Sequence, residues 1–356
     1  MIIVSSNTKK IRSVPLYLSL IEKAGRSPQT VRTYRDALLH FSRFLDVPLE
    51  ELHKHLSVEN LLAYTDSPAL KDASQNTRRT WLAVIHKYMK LNGVEFDELE
   101  TSVFKLRRDD VRRDKPLKIE TLQKMMDLAD VHMKAYLSFL ISTGCRINES
   151  SQILLTDLHD NRVTIRPEIA KGRHGGTTFL TSEARGYLDI WLRERDQWIQ
   201  QANVRTNNIG LRRPQGDQRL FACTSNNLSK QFQKLYEAVD GESSPIKGGT
   251  RNKITPHSCR AYFRTHAVTS MGIDLVEGIM RHTGYLNAAY VRMSDDERER
   301  LFHLGEHELY ITRASIRNEE RKIEEIRREQ EEKILTLERR TKILEALLKI
   351  DDSKKK

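Results

Sequence analysis

Apolar residues recur every three or four positions along most of this chain, and this helical spacing is the feature that most limits its fold. One stripe begins after Ser27 and Pro28, which suit the cap and the first position of a helix. Its members are Val31, Tyr34, Leu38, Phe41 and Leu45. A second stripe covers residues 75–92 and ends at an Asn-Gly pair that is typical of a helix stop. The first part of the chain is therefore predicted to be helical.

Only two stretches are predicted to be strands. Residues 163–166 and 177–180 are short, rich in β-branched side chains and separated by a glycine-rich turn from Lys171 to Gly176. Further helices are predicted over 119–129, 133–141, a segment beginning near Ser182, 220–239 and 274–280. The sequence thus predicts a mainly α protein with a small β-sheet, an α+β fold.

Length and charge indicate the number of domains and the kind of partner. The 356 residues are too many for one ordinary core, so two domains and an appendage are predicted. Lys and Arg number 60 against 49 Asp and Glu, a formal net charge of +11. Such a surplus favours nucleic acid as partner, because each phosphate neutralised releases condensed counterions. A merely soluble basic protein is the alternative.

The cysteines and the apolar runs argue against several classes. Cys145, Cys223 and Cys259 are odd in number and lack a C-x-x-C spacing, so neither a disulfide framework nor a zinc site is expected. No apolar run approaches the roughly 18 residues of a membrane span. The N-terminus lacks the long apolar region of a signal peptide. We therefore expect a cytoplasmic, nucleoid-associated protein with no membrane partner.

A charged stretch from Lys105 to Lys115 separates the two predicted domains. It alternates three aspartates with Arg107, Arg108, Arg112 and Arg113. Two interpretations remain open: a solvated linker, or a segment that lies along a DNA backbone.

The last fifty residues have a different pattern. Apolar side chains and one glutamine recur every seven positions, and nearly all other residues there are Glu, Arg or Lys. The seven-residue series is Leu309, Ile316, Ile323, Gln330, Leu337 and Leu344. This predicts a long amphipathic helix with coiled-coil character. It would either mediate subunit contacts, pack along its own catalytic domain or project freely.

Three short segments carry the candidate chemistry. In the first, Thr255 and Pro256 suit the start of a helix, which places His257 and Arg260 on one face near an electropositive end that attracts phosphate. In the second, Gly144 breaks the chain before Arg146, whose planar fork suits two phosphate oxygens.

Glu149 follows Arg146 by three residues and could orient it. The third segment contains His282, then Tyr285 and Tyr290. Taken alone, each segment is explained better by ordinary surface or packed residues. Taken together and in this order, they resemble the tyrosine recombinase or integrase family, over most of the chain from about Ser13 to Tyr290.

The resemblance is carried by particular positions. Arg146 matches the first arginine of the family, in its T-G-x-R-x-x-E box, and His257 and Arg260 match its H-x-x-R box. His282 matches the following His-or-Trp position, Lys171 matches the β-hairpin lysine, and Tyr290 matches the nucleophile. The pattern of Ser27, Thr30, Tyr34, Leu38 and Phe41 resembles the N-terminal core-binding domain of the family, which is SAM-like.

Two departures from the family pattern concern the last box. Met280-Arg281-His282 stands where the family usually has Leu-Gly-His, and the step from His282 to Tyr290 is one residue shorter than in common bacterial members, though similar to some archaeal integrases. Tyr285 is the rival nucleophile, but it follows the histidine by only three residues. Tyr290 is therefore predicted.

The resemblance implies a reaction that needs no metal and no other cofactor. Tyr290 would attack the scissile phosphate to give a 3′-phosphotyrosine, which conserves the energy of the broken bond. Arg146 and Arg260 would hold the charge on the non-bridging oxygens, and Lys171 would protonate the departing 5′ oxygen. His257 would help with the tyrosine proton, and His282 would donate a hydrogen bond to the phosphate.

The predicted function is a site-specific recombinase acting on double-stranded DNA, with the integrase of a virus or plasmid favoured by the charged tail. A Xer-like resolvase of chromosome dimers, a type IB topoisomerase and an idle DNA-binding protein are the alternatives. Family membership implies a homo-oligomer, with a dimer on each site and a tetramer in the synapse. The predicted DNA contacts, besides the catalytic residues, are Arg32, Arg35, Arg78, Arg79, Arg107, Arg108, Arg112, Arg113 and Arg173.

Domain limits follow from these patterns. The predicted order is an N-terminal tail over 1–12, a core-binding domain over 13–95, a basic linker over 96–115, a catalytic domain over 116–298 and a charged helical tail over 299–356.

Overall fold

The structure, a computed structural model, describes residues 12–104, 117–206, 210, 212–214, 216–240, 254–282 and 293–354. The described residues fall into two compact units, 12–104 and 117–354 with its gaps, and each is considered by itself. Helices dominate both units, and one three-stranded antiparallel sheet lies in the second, which confirms the predicted α+β class.

The first unit is helical, as predicted. Its helices are α1 (Val14–Lys23), α2 (Pro28–Phe44), α3 (Val58–Asp66), α4 (Pro68–Lys71), α5 (Gln75–Leu91) and α6 (Glu98–Phe104). Serine side chains begin four of them, because each accepts a hydrogen bond from a backbone N–H that the first helical turn cannot satisfy. The capping serines are Ser27, Ser57, Ser67 and Ser74.

The predicted stripe on α2 faces the core of this unit. Leu38 and Phe41 are fully buried, and Tyr34 and Leu45 are partly buried against the same core. Tyr64 and Tyr88 complete the buried aromatic cluster from α3 and α5. The helical spacing in the sequence thus predicted which face of α2 is apolar because that face is the buried one.

The second unit contains nine helices in its described residues and the sheet. The helices are α7 (Ile119–Leu128), α8 (Val131–Thr143), α9 (Ile147–Ser150), α10 (Ser182–Val204), α11 (Ser225–Asp240), α12 (Pro256–Met271), α13 (Ile273–Ile279), α14 (Asp295–Gly305) and α15 (Arg313–Lys354). The strands are β1 (Leu158–His159), β2 (Arg162–Ile165) and β3 (Gly176–Phe179), in the order β1-β2-β3.

Helix α8 is the centre of this unit. Its residues from His132 to Thr143 are buried apart from Lys134, which is why its sequence is apolar on every side rather than along one stripe. Helices α10 and α12 pack on it. In the sheet, Val163 of β2 pairs with Thr178 of β3, close to the predicted strands.

One predicted helix begins later than expected. Residues 220–239 were predicted to be helical, but α11 begins at Ser225. Leu220 lies in a buried turn, where its N–H donates to Ile153 O at 2.7 Å and its carbonyl accepts from the Trp191 indole at 2.9 Å. The prediction was wrong there because a short apolar run does not by itself distinguish a buried helix from another buried conformation.

The C-terminal part joins the second unit before it becomes a single long helix. The predicted start of the tail at residue 299 lies inside α14, and Phe302 and Leu309 are buried in the core. The Glu183 carboxylate accepts the backbone N–H groups of Ile311 and Thr312 at 2.7 and 2.8 Å, which fixes the start of α15 against α10. Leu309 therefore belongs to the core and not to the predicted seven-residue seam.

Candidate functional site

Arg146 stands at the point where the chain leaves the buried helix α8. Gly144 ends that helix with a φ of 58°, a left-handed conformation that glycine adopts without strain. Arg146 then occupies the cap position of the short helix α9, and its N–H donates to the Glu149 carboxylate at 3.1 Å. The Arg146 guanidinium also donates to Glu149 at 2.9 Å and stays a quarter exposed. Glu149, itself 1% exposed, therefore holds the Arg146 backbone and the Arg146 guanidinium at once.

Arg260 reaches the same place from helix α12. Its side chain is 2% exposed, and its guanidinium donates to Gly144 O, to Met280 O at 2.7 Å and to the His282 ring at 2.9 Å. A guanidinium has five N–H donors, and these three bonds leave two of them for a ligand. Arg260 is thus fixed between the end of α8 and the end of α13, with its Nε–H and one Nη1–H not used in these bonds.

His282 is held by one partner on each ring nitrogen. Its Nδ1 is hydrogen-bonded to the Glu277 carboxylate, and its Nε2 lies 2.9 Å from the Arg260 guanidinium. Because a guanidinium can only donate, Nε2 accepts and Nδ1 carries the proton. Glu277 is 6% exposed and also accepts from Arg264 Nε at 2.5 Å. The carboxylate thus fixes the orientation and the tautomer of the ring. In this tautomer His282 has no N–H left for a phosphate, in contrast to the hydrogen bond that the family resemblance implied.

Burial and neighbouring charge shift the pKa values of these groups. Burial, followed by the positive charge of Arg146, lowers the pKa of Arg260 to about 10, so its guanidinium remains charged at neutral pH. Burial raises the pKa of Glu149, but the charge of Arg281 and the bonds from Arg146 outweigh burial and leave that pKa below its ordinary value. The pKa of Glu277 is also lowered, since Arg264 and His282 outweigh its burial.

The other predicted residues of this unit lie at exposed positions. His257 is exposed on the first turn of α12, three residues before the buried Arg260. Lys171 and Arg173 are exposed on the turn between β2 and β3, as expected for a hairpin. Among the described residues, Lys171 makes no hydrogen bond or ion pair with Glu149 or Glu277. Hydrogen bonds therefore hold Arg146 with Glu149, and Arg260 with His282. These two groups, whose charges act on each other, are together called the network, and Lys171 lies outside it.

Several predicted residues cannot be located in this way. Tyr290, its rival Tyr285 and the four linker arginines Arg107, Arg108, Arg112 and Arg113 lie outside the described residues. In the first unit, the predicted DNA contacts are on two helices. Arg32 and Arg35 are exposed on α2, and Arg78 and Arg79 are partly exposed on α5.

Two residues of the network were missed by sequence reasoning. Glu277 lies five positions before His282, and Arg281 donates to the Glu149 carboxylate at 2.7 Å. The only available signal was an arginine at the usual glycine of the last box. The partner of that arginine lies 132 positions away in the chain, which no local pattern reveals.

Two kinds of feature are absent from the described residues. None of their helices is long and apolar enough to cross a membrane. They also contain no cluster of three or more His, Cys, Asp or Glu side chains arranged to hold a metal ion.

Several solved structures share the fold of this chain. The lambda integrase dimer bound to a COC' core site is 13% identical, with a TM-score of 0.53 over 79% of this chain and 97% of that one. The Tn1549 transposon integrase in complex with transposon right end DNA is 14% identical, with a TM-score of 0.52 over 80% and 96%. The lambda integrase tetramer bound to a Holliday junction is 14% identical, with a TM-score of 0.50 over 77% of each chain. These likenesses show the fold.

The family is assigned by matches to sequence profiles. The profile of the phage integrase family matches residues 115–290, and that of the N-terminal SAM-like domain of phage integrases matches residues 16–92. No curated protein matches the chain. Fold and profiles together define an enzyme that cleaves and rejoins DNA strands. The chain belongs to the phage integrase family of tyrosine recombinases, as its sequence motifs predicted.

Proposed function

We propose that this chain is a site-specific recombinase that opens DNA through a 3′-phosphotyrosine at Tyr290 and serves as the integrase of a mobile element. The observation that carries the proposal is that two buried carboxylates orient basic side chains: Glu149 holds Arg146, and Glu277 holds His282, which in turn bonds Arg260. Three basic side chains from three chain segments converge there, and two of them keep N–H groups for an anion. This is the arrangement that a scissile phosphate requires.

The chemistry follows from the roles of these groups. The Tyr290 oxygen attacks phosphorus and forms a P–O bond, while the bond from phosphorus to the 5′ oxygen breaks. Arg146 and Arg260 stabilise the charge that grows on the non-bridging oxygens, each by about 3–4 kcal/mol if well placed. Rejoining is the reverse attack by a 5′-hydroxyl, in which the phenol leaves readily because its pKa is well below that of an alcohol.

Proton transfers complete the step. The proton of Tyr290 passes to a base, for which His257 is proposed, because it is exposed on the helix that carries Arg260. The departing 5′ oxygen takes a proton from Lys171, whose exposed turn allows it to reach a bound DNA strand. The net charge of +11 supplies long-range attraction for DNA, and Arg32, Arg35, Arg78 and Arg79 are proposed backbone contacts in a core-binding domain over 13–95.

Assembly and biological role are part of the same proposal. We propose a dimer on each site and a tetramer in the synapse, with a catalytic domain that begins at 116 and includes the core residues Phe302 and Leu309 beyond the predicted limit at 298, and with α15 available for subunit contacts. Mobile-element integration is favoured over dimer resolution by the charged helix that extends beyond the catalytic domain.

The decisive experiment traps the covalent adduct. Sheared DNA from the source organism is incubated with the protein, protein-linked fragments are recovered after denaturation, and their ends are sequenced to map the cleaved site. A nicked suicide duplex with that site should then yield an adduct that resists denaturation, and Tyr290→Phe should abolish it.

Tyr285→Phe is the matched control and should retain the adduct. An adduct that persists in Tyr290→Phe and disappears in Tyr285→Phe would overturn the assigned nucleophile. Recombination between two plasmids that carry the site is expected; relaxation of supercoils without recombination would instead identify a topoisomerase. The genomic position of the mapped site, at a mobile element border or at the replication terminus, tests the proposed biological role.

A further inference from the structure

Arg281 has a backbone conformation that arginine rarely adopts. Its φ is 55°, in the left-handed region, where a side chain with a Cβ is strained by about 1–2 kcal/mol. Glycine, the usual residue of the family at this position, would avoid that strain. The arginine therefore has to make contacts that compensate for its backbone.

The contacts of the Arg281 side chain are buried, and one of them is to Glu149 of the network. The Arg281 side chain is 4% exposed, and it donates to Glu149 Oε2 at 2.7 Å and to Ile279 O at 3.0 Å. Its Cγ and Cδ atoms lie 3.5 and 3.4 Å from the place where a Cβ on Gly176 would stand, so strand β3 gives the side chain its space. A buried guanidinium of this kind is costly unless an anion pairs with it. Glu149 is that anion.

The same carboxylate divides its two oxygens between two arginines. Oε2 accepts from Arg281 and from the Arg146 backbone, and Oε1 accepts from the Arg146 guanidinium at 2.9 Å. Arg146 is therefore bound through one guanidinium nitrogen rather than through a bidentate fork. If Arg281 were absent, Oε2 would be free to draw a second Arg146 N–H inward, away from a phosphate.

The backbone of His282, which follows Arg281, is also held in place. His282 begins where the left-handed turn ends, and the His282 backbone N–H donates to Glu277 O at 3.1 Å. The Arg281 side chain, through its bond to Glu149, thus connects the segment of His282 to α9 and to its cap residue Arg146.

We propose that Arg281 is a positioning residue for DNA cleavage, which sets through Glu149 how Arg146 is presented to the scissile phosphate. This inference rests on the proposed function. Arg281 itself is buried and touches no substrate, so its loss should reduce the rate of cleavage at saturating DNA and leave DNA affinity unchanged.

The test compares two arginines that pair with buried carboxylates. Arg281→Gln removes the charge in the network, and Arg166→Gln does the same at Asp157, which Arg166 Nε contacts at 3.0 Å outside the network. Single-turnover cleavage of the suicide duplex and DNA affinity are measured for both, well below their unfolding temperatures. We expect cleavage at least tenfold slower for Arg281→Gln, with affinity within twofold of wild type, and cleavage within twofold for Arg166→Gln.

Two further variants separate positioning from a structural effect. Arg281→Lys keeps the charge but has one nitrogen in place of the two that bond Glu149 and Ile279 O, so its rate should lie at least threefold above that of Arg281→Gln and at least threefold below wild type. Arg281→Gln combined with Glu149→Gln should cleave no more slowly than Glu149→Gln alone, since both changes act through one carboxylate. If Arg281→Gln does not fold, Arg281→Lys decides: a rate three- to tenfold below wild type supports the proposal, and an unchanged rate overturns it.

Other outcomes refute the inference directly. An unchanged rate in Arg281→Gln, an equal loss in Arg166→Gln, a loss explained by DNA affinity or independent effects in the double variant would each overturn it. Failure of the proposed function has a different signature, because the wild type would then form no adduct at Tyr290.

Discussion

Glu277 offers a sharp test of how the site is organised, because one buried carboxylate holds two basic side chains of different kinds. Glu277→Gln keeps the shape and removes the charge. A hydrogen bond to a charged group contributes about 1.5–3 kcal/mol and a neutral one about 0.5–1.5, so each bond weakens by about 1 kcal/mol. The bond to Arg264 counts for less, since that arginine is half exposed and screened. The free energy of unfolding should therefore fall by about 1–1.5 kcal/mol.

The effect on cleavage comes through His282. The carboxylate can only accept, which keeps the proton on Nδ1, whereas a glutamine amide can also donate and allows the other tautomer. We expect single-turnover cleavage of the suicide duplex to slow about tenfold, equivalent to about 1.4 kcal/mol of transition-state stabilisation. Adduct formation is followed on a denaturing gel at saturating protein.

Arg264→Gln is the matched control for this experiment. It removes the other hydrogen bond of the same carboxylate and leaves the bond to His282 in place, so it should cost stability without slowing cleavage. Wild-type cleavage by Glu277→Gln, or an equal loss of rate in Arg264→Gln, would refute the reasoning.

Three further predictions concern stability and proton transfer. The pKa of Glu149 is held below its ordinary 4.5, so its contribution to stability is complete above that pH and lost as the pH falls through the lowered pKa; thermal unfolding from pH 7 to 3 should be less pH-dependent in Glu149→Gln. Gly144→Ala should cost about 2–4 kcal/mol in urea unfolding, because φ is 58° and the new Cβ would stand 2.5 Å from Phe263 Cδ1; a loss under 1 kcal/mol would contradict this. Lys171→Ala should slow cleavage at least about 100-fold. It should change the unfolding free energy by less than about 0.5 kcal/mol, since the side chain is exposed. A loss of stability large enough to account for the slower cleavage would exclude a proton-donor role.

Much of the fold could be predicted because local chemistry decided it. The α2 stripe, the serine and proline at its start and the two short strands each report a local requirement: a buried face, a capped end or an alternating surface. The 220–224 segment could not be predicted in the same way. Its conformation depends on Ile153, Trp191 and Arg195, which lie far away in the chain and bond to its backbone.

The residues of the site also differ in how far the sequence could predict them. Arg146, Glu149 and Arg260 lie in short segments that predicted a phosphate site only in combination, through their order along the chain and the resemblance to the family. Glu277 and Arg281 joined the site through a helix end and a left-handed turn. Their partners are decided by tertiary packing, so charge alone made them look like ordinary surface residues.

The charges around Arg260 explain why such a site suits a phosphate. Arg146, Arg260 and Arg281 have only the Glu149 carboxylate among them, since Glu277 pairs with Arg264 and His282, and this leaves an excess of two positive charges. The lowered pKa of Arg260 reports the cost of holding its charge in this buried place. An anion that binds between Arg146 and Arg260 removes part of that cost, and it removes more when further negative charge develops on the anion. Since the guanidiniums are already fixed by backbone carbonyls and carboxylates, little reorganisation is needed as that charge grows, and the network favours the transition state of phosphoryl transfer over the bound ground state.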